Sequence, residues 1–142
     1  MNDELVEKLE RVVFRLYRGM RRRPELSDLS PQDPILLTRI SANPGIGVAE
    51  LAQLERLRAP TITSHAKRLE AAGMIRRVPH PIDGRRLGLH ITAKGKRTLA
   101  RAVSIRRKEL AERLARLSGQ ERRSLEQAAD ALIKISEHAA GN

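Results

Sequence analysis

Cysteine is missing from all 142 residues. Disulfides, thiolate metal centres and thiol redox sensing are therefore excluded. Tryptophan is missing too, and Phe14 and Tyr17 are the only aromatic side chains. Modules that read single-stranded RNA stack bases on aromatic platforms, and neither ring lies in the basic part of this chain. No run approaches eighteen apolar residues, so no segment reads as a membrane-spanning helix. The start, Met1-Asn2-Asp3-Glu4, is acidic and lacks the basic and apolar stretches of a signal peptide, which leads us to expect a cytoplasmic protein. With so few rings, the core must be assembled from Leu, Ile, Val and Ala.

What the chain has in excess is positive charge. Lys and Arg number 28 against 17 acids, a formal net charge of +11. The excess is uneven. Between Arg56 and Arg97 eleven basic residues face two acids, Glu70 and Asp83, whereas the rest of the chain is close to balanced. Charge concentrated in this way is the footprint expected of a polyanion-binding surface.

Apolar periodicity predicts the elements. Leu5, Leu9, Val12, Val13, Leu16 and Met20 recur at steps of three and four, one stripe on a helix from Asp3 to about Arg23. Pro24 ends it, and Glu25 to Leu29 read as a loop. Ser30-Pro31 looks like an N-cap with proline at the first helical position and Asp33 at the third, before a short buried helix carrying Ile35, Leu36, Leu37 and Ile40; Pro34 sits late in its first turn, so the start can shift by a residue or two. After the Asn43-Pro44-Gly45 turn, Val48 to Leu54 form a two-turn amphipathic helix. Pro60 opens another running to about Ala72, with Gly73 as its stop. Two short helices joined so tightly read as a helix-turn-helix. Met74 to Val78 and Leu87 to Ile91 then alternate as a β-hairpin with one buried face, its tip at Asp83-Gly84-Arg85-Arg86. Thr92 caps a long helix through Leu99, Val103, Leu110, Leu114 and Leu117. Ser118 with Glu121 makes a capping box for the last, through Leu125, Leu132 and Ile135.

The helix from Thr61 to Ala72 carries the most information about function. With Ile62 pointing to the core, a step of about 100° per residue turns Thr61, Ser64 and Arg68 to the far side. His65 and Lys67 flank them, and Thr63 completes the polar set. These groups can hydrogen-bond base edges and phosphates in a major groove, with Arg68 the candidate for guanine. The hairpin that follows projects Arg85 and Arg86, and arginine is drawn into a narrow minor groove by its negative potential. A recognition helix followed directly by a basic hairpin predicts binding to double-stranded DNA.

Several segments, in order, resemble the MarR family of bacterial regulators. They are Leu29-Ser30, Val48-Ala49-Glu50-Leu51-Ala52, Leu69 through Arg77, Asp83-Gly84-Arg85-Arg86 and Ile91-Thr92-Ala93-Lys94-Gly95. The resemblance runs from Leu5 to about Ala131. It implies a mainly α fold with a small β-hairpin wing, a winged helix-turn-helix with long N- and C-terminal dimerisation helices. It also implies a homodimer on a palindromic operator, with Asp83 bracing the wing and Arg85 entering the minor groove. A small anionic or aromatic effector is implied between the dimerisation helices and the DNA lobe, with Tyr17, Arg21 and the surroundings of Leu37 the nearest candidates. Two positions depart from the family pattern. Ala59 stands where a polar cap is common, and Pro34 where a bulky residue is.

The organisation expected is thus a dimerisation helix and loop over residues 1–29, a DNA-binding lobe over 30–97 and dimerisation helices over 98–142. The function expected is a ligand-responsive repressor; the alternative is a sequence-neutral architectural DNA-binding protein. Nothing resembles an enzyme: no glycine-rich phosphate loop follows a strand, and no nucleophile has a base at motif spacing. No motif asks for a cofactor. His65, His80, His90 and His138 show no metal-ligand spacing on any one helix, although His80, His90 and Asp83 could approach across the hairpin.

Overall fold

A computed structural model of the protein describes residues 3–20 and 29–138. Its elements are α1 (Asp3–Met20), α2 (Asp33–Ala42), α3 (Val48–Glu55), α4 (Ala59–Ala71), β1 (Ile75–Pro79), β2 (Leu87–Ile91), α5 (Ala93–Ala115) and α6 (Gly119–His138). This is the expected order of four helices, a hairpin and two helices. Arg21, Pro24 and the expected loop from Glu25 as far as Asp28 lie outside the described residues. The chain divides into two units, the first ending at Ser104 and the second starting at Ile105. No helix among the described residues is long and apolar enough to cross a membrane.

The first unit holds the core. Leu36, Leu37 and Ile40 of α2 meet Leu51 and Ala52 of α3, Ile62, Ala66 and Leu69 of α4, and Ile75 and Leu89 of the hairpin. Aliphatic burial thus replaces the missing aromatics, each such Leu or Ile contributing about 1.5–3 kcal/mol.

The start of α2 differs from expectation. The N-cap is Gln32, not Ser30, and the helix begins at Asp33. A helix starting at Pro31 would place Pro34 where its nitrogen should donate to the Ser30 carbonyl, and proline has no N–H. Starting at Asp33 puts Pro34 in the first turn, where none is needed. Ile35 also proves to be 42% exposed, on the side of α2 away from Leu36 and Leu37.

The C-terminal end of α4 and the hairpin are fixed by backbone geometry. Gly73 adopts φ +72°. Its N–H donates to the Glu70 carbonyl at 2.9 Å, and that of Met74 to the Leu69 carbonyl at 2.9 Å. This paired closure satisfies the last carbonyls and needs a left-handed residue. β1 and β2 pair antiparallel, Ile75 opposite Ile91 and Pro79 opposite Leu87. The buried face is not the simple alternation expected, since Leu87 is 47% exposed. Gly88 is buried instead, so close to Gly45 that a Cβ would sit 2.6 Å from its carbonyl oxygen.

Thr92 caps α5 as expected. Its Oγ1 accepts from the Gly95 N–H at 3.0 Å and donates to the Gly73 carbonyl at 2.6 Å. Lys94 Nζ donates to the Ala72 carbonyl at 2.7 Å. A Cβ at Gly95 would overlap the Met74 carbonyl oxygen, so the Thr-Ala-Lys-Gly run docks α5 against the end of α4. In the second unit, Ser118 and Glu121 form the expected reciprocal cap. Glu121 Oε2 accepts from the Ser118 N–H at 2.8 Å, and Ser118 Oγ accepts from the Glu121 N–H at 3.2 Å. These hydrogen bonds hold the Glu121 carboxyl below its usual range.

Candidate nucleic-acid interface

The recognition helix is seated by Ile62, Ala66 and Leu69, each no more than 2% exposed. Their spacing fixes the rotation of α4, and the polar residues follow from it. Thr61, Ser64, Lys67 and Arg68 are exposed, while Thr63 and His65 are partly covered. Thr63 Oγ1 donates back to the Ala59 carbonyl at 2.9 Å, so its hydroxyl proton serves the helix itself. Among the described residues, the side chains of Thr61, Ser64 and Lys67 have no polar partner. They form the free part of this face.

Arg68 is different. Its Nη1 donates to Asp33 Oδ2 at 2.7 Å and its Nη2 to Asp33 Oδ1. Nη2 also lies 3.3 Å from Ser30 Oγ and 3.1 Å from His65 Nδ1. Asp33 is wholly buried, and its Oδ2 accepts from the Ser30 N–H at 2.7 Å as well. Burial pushes the Asp33 carboxyl up. The hydrogen bonds from Arg68 and Ser30, with the Arg68 charge, outweigh that and leave it below the usual carboxylate range. The Asp33 hydrogen bond in turn raises Arg68. His65 Nδ1 also lies 3.3 Å from Asp33 Oδ1, so the imidazole stands between the arginine, from which it can only accept, and the carboxylate, to which it can only donate. Helical spacing places Arg68 on the outward face correctly but gives it no partner. Asp33 is read from the sequence only as a first-turn residue three after Ser30, a spacing that accounts for its bond to the Ser30 N–H but not for its pairing with Arg68.

The wing is built by a second set of local bonds. His80 N–H donates to the Arg86 carbonyl at 2.7 Å, and the Arg86 N–H to the Asp83 carbonyl at 3.0 Å. His80 Nδ1 accepts from the N–H groups of Ile82 and Asp83 at 3.2 and 3.3 Å. Asp83 Oδ1 accepts from the Arg85 N–H at 3.2 Å, a side-chain turn that shapes the tip. Arg86 Nη2 reaches Glu50 Oε1 of α3 at 3.3 Å, an exposed pair joining wing to helix-turn-helix. The Arg85 side chain has no polar partner among the described residues. His80, which in the sequence is only a surface or metal-candidate histidine, is thus an organiser of the wing turn. Of the three residues expected to approach across the hairpin, His80 and Asp83 hold backbone N–H groups, and no cluster of three metal-ligating side chains occurs among the described residues.

Of the effector candidates, Tyr17 lies on α1 with 54% exposure, whereas Leu37 is fully buried. Arg21 lies outside the described residues.

Comparison with known proteins agrees with this geometry. The model of the MarR family matches residues 29–87, the stretch that spans α2 to the start of β2. An HTH-type transcriptional regulator of Mycobacterium tuberculosis is 34% identical over 131 residues, 92% of each chain. An HTH-type transcriptional repressor of Mycobacterium bovis is 33% identical, covering 78% of this chain and 84% of its own. Among solved structures, a MarR family protein from Bacillus stearothermophilus superposes with a TM-score of 0.79 at 22% identity, covering 96% of this chain and 99% of that one.

Proposed function

The chain belongs to the MarR family of winged-helix transcriptional regulators, which are DNA-binding proteins and not enzymes, and from that premise we propose that it is a cytoplasmic, ligand-responsive repressor acting as a homodimer on a pseudo-palindromic operator. The observation that carries this reading is the union of an outward polar face on α4, where Thr61, Ser64 and Lys67 have no polar partner among the described residues, with a braced wing ending in Arg85. On this reading Thr61, Ser64, His65 and Lys67 address the major groove. Arg85 enters the minor groove and Arg86 and Asp83 hold the wing in place. Two basic lobes in one dimer suit two half-sites about one helical turn apart. The repressor role draws support from the relative that carries that description. An effector, anionic or aromatic, would act by changing the spacing of the two recognition helices.

Selection from a pool of random duplexes tests this function. The wild type should enrich a pseudo-palindrome, and with roughly 6–10 phosphate contacts its affinity should fall about 10³–10⁵-fold between 50 and 200 mM salt. Arg85→Ala should weaken preference for A·T-rich flanks and leave the central bases unchanged. Asp83→Ala should act the same way. Enrichment of no sequence, with uniform binding to all duplexes, would replace repression by sequence-neutral compaction.

A further inference from the structure

We propose that Asp33 is a specificity-positioning residue that keeps the Arg68 guanidinium off the DNA bases, so that Arg68 seats the recognition helix and does not read sequence. The inference rests on the DNA-binding reading of α4. A guanidinium can meet a base or a carboxylate with either of two two-pronged edges, and both include Nη2. Here one Nη2 hydrogen faces Asp33 Oδ1, and the other faces Ser30 Oγ and His65 Nδ1. Nη1 is held by Asp33 Oδ2 at 2.7 Å. Neither edge is left for the paired acceptors of a guanine.

Magnitudes decide whether DNA could pull Arg68 away. Asp33 is fully buried. Among the described residues, Arg68 is the only Lys or Arg side chain that pairs with it, and the imidazole of His65 lies beside it with Nδ1 3.3 Å from Oδ1. Arg68 keeps 44% of its side chain exposed, so solvent screens the pair and parting it costs less than the roughly 10²–10³-fold of a fully buried one. A good two-pronged contact to guanine returns roughly 5- to 150-fold. What favours the latch is that leaving it strands the buried Asp33 carboxylate without the two arginine bonds it now accepts. The latch's two anchors lie 35 residues apart, on the first turn of α2 and the last turn of α4. The pair thereby fixes how α4 is carried by the body of the lobe, and base readout falls to Ser64, Lys67, Thr61 and His65.

The experiment uses the full chain, random-duplex selection, and titration of one random duplex and the wild-type selected duplex across salt. Arg68→Ala should lower affinity about equally for every sequence and leave each column of the selected motif unchanged. Asp33→Ala frees a cation beside the groove. Affinity for the random duplex should then rise several-fold, and its salt slope should steepen by about one per subunit. The ratio of selected to random binding should fall. Adding Arg68→Ala to Asp33→Ala should abolish the gain in random-duplex affinity and return the salt slope to the wild-type value, a reversal that general unfolding cannot produce. If Asp33→Ala does not fold, the selected motif of Arg68→Ala decides alone. Loss of preference at one base position in each half-site, with the rest intact, would overturn the latch. A wild type that binds duplexes but selects no motif would replace sequence-specific reading by neutral binding, and one that binds no duplex would remove the DNA reading of α4; either removes the latch's role in specificity.

Discussion

The same periodic Leu, Ile and Val pattern has opposite fates in two parts of this molecule. In α2, α3 and α4 the apolar side chains that face the core are 0–6% exposed. In α1, Leu5, Val12, Val13, Leu16 and the ring of Phe14 are 44–62% exposed, and in α6 Leu125, Leu132, Ile133 and Ile135 are 43–58% exposed. Each stripe is as regular as those of the lobe. The lobe completes its own core; the outer helices do not. A second copy of the chain is the covering surface that the proposed homodimer supplies, because a twofold pairing buries the same face on both partners.

The largest expected effect breaks that contrast from the exposed side. Leu132→Asp with Ile135→Asp places charges on the apolar face of α6. In light scattering the particle should fall from twice the chain mass to 15.9 kDa. Binding to a full palindrome should weaken by about 10²–10⁴-fold, the avidity lost when two linked half-site contacts become separate. Binding to a single half-site should be unaffected. A doubly substituted chain that remains dimeric would show that α6 is not the covered face.

Identical chemistry on the two sides should sharpen the contrast. Leu69→Ala, in the lobe core at 1% exposure, should cost about 2–5 kcal/mol at any protein concentration. Leu132→Ala should instead make the melting temperature more dependent on protein concentration, because it weakens association more than the fold of one chain. Thermal melts over a wide concentration range separate the two. Equal, concentration-independent losses would erase the distinction.

These contrasts also mark what can be read from the sequence. Period and caps are legible, because Ile62, Ala66 and Leu69, the Gly73 stop, Thr92 and the Ser118–Glu121 box depend only on neighbours within a turn. The winged order is legible for the same reason. Three features are less so. The start of α2 is legible only to within two residues, because Pro34 has to be weighed against a favourable cap at Ser30, and the missing N–H wins. The hairpin alternation fails at Leu87 and Gly88 because the Gly45 backbone presses on that strand from another part of the chain. Arg68 falls on the right face without its partner, since Asp33 comes near only through tertiary packing. Sequence spacing says which way a side chain leaves its helix. It does not say what waits there.

Acid should act on the lobe through that buried carboxylate. Asp33 lies below its ordinary value of 3.8 in the folded chain, so more protons bind the unfolded state. Its contribution is complete above about pH 4 and fades as pH falls through the lower folded value. Melting temperatures taken from neutral pH down into the acid range should therefore fall more steeply below about pH 4 in the wild type than in Asp33→Asn. Other carboxylates titrate in both proteins and cancel in the difference. Parallel curves would show that the pair adds no acid sensitivity.

The smallest effect tests the joint between the recognition helix and α5, the element that continues past Ser104 into the second unit. Thr92 does two things there. Its Oγ1 accepts from the Gly95 N–H, satisfying a first-turn donor of α5, and its own proton goes to the Gly73 carbonyl at the end of α4. Thr92→Ala removes both bonds and should cost about 0.5–2 kcal/mol, the usual range for a lost helix cap. Thr92→Ser keeps the oxygen and its proton and should recover most of that loss. If stability were the whole effect, DNA affinity would be unchanged below the melting range. The double role predicts more: with the Gly73 carbonyl released, the seating of α4 against α5 loosens, and operator affinity should fall a few-fold in Thr92→Ala while Thr92→Ser binds like wild type. Denaturant melts and operator titrations on the same three proteins give both numbers. A stability loss with unchanged affinity would reduce Thr92 to a cap of α5 alone.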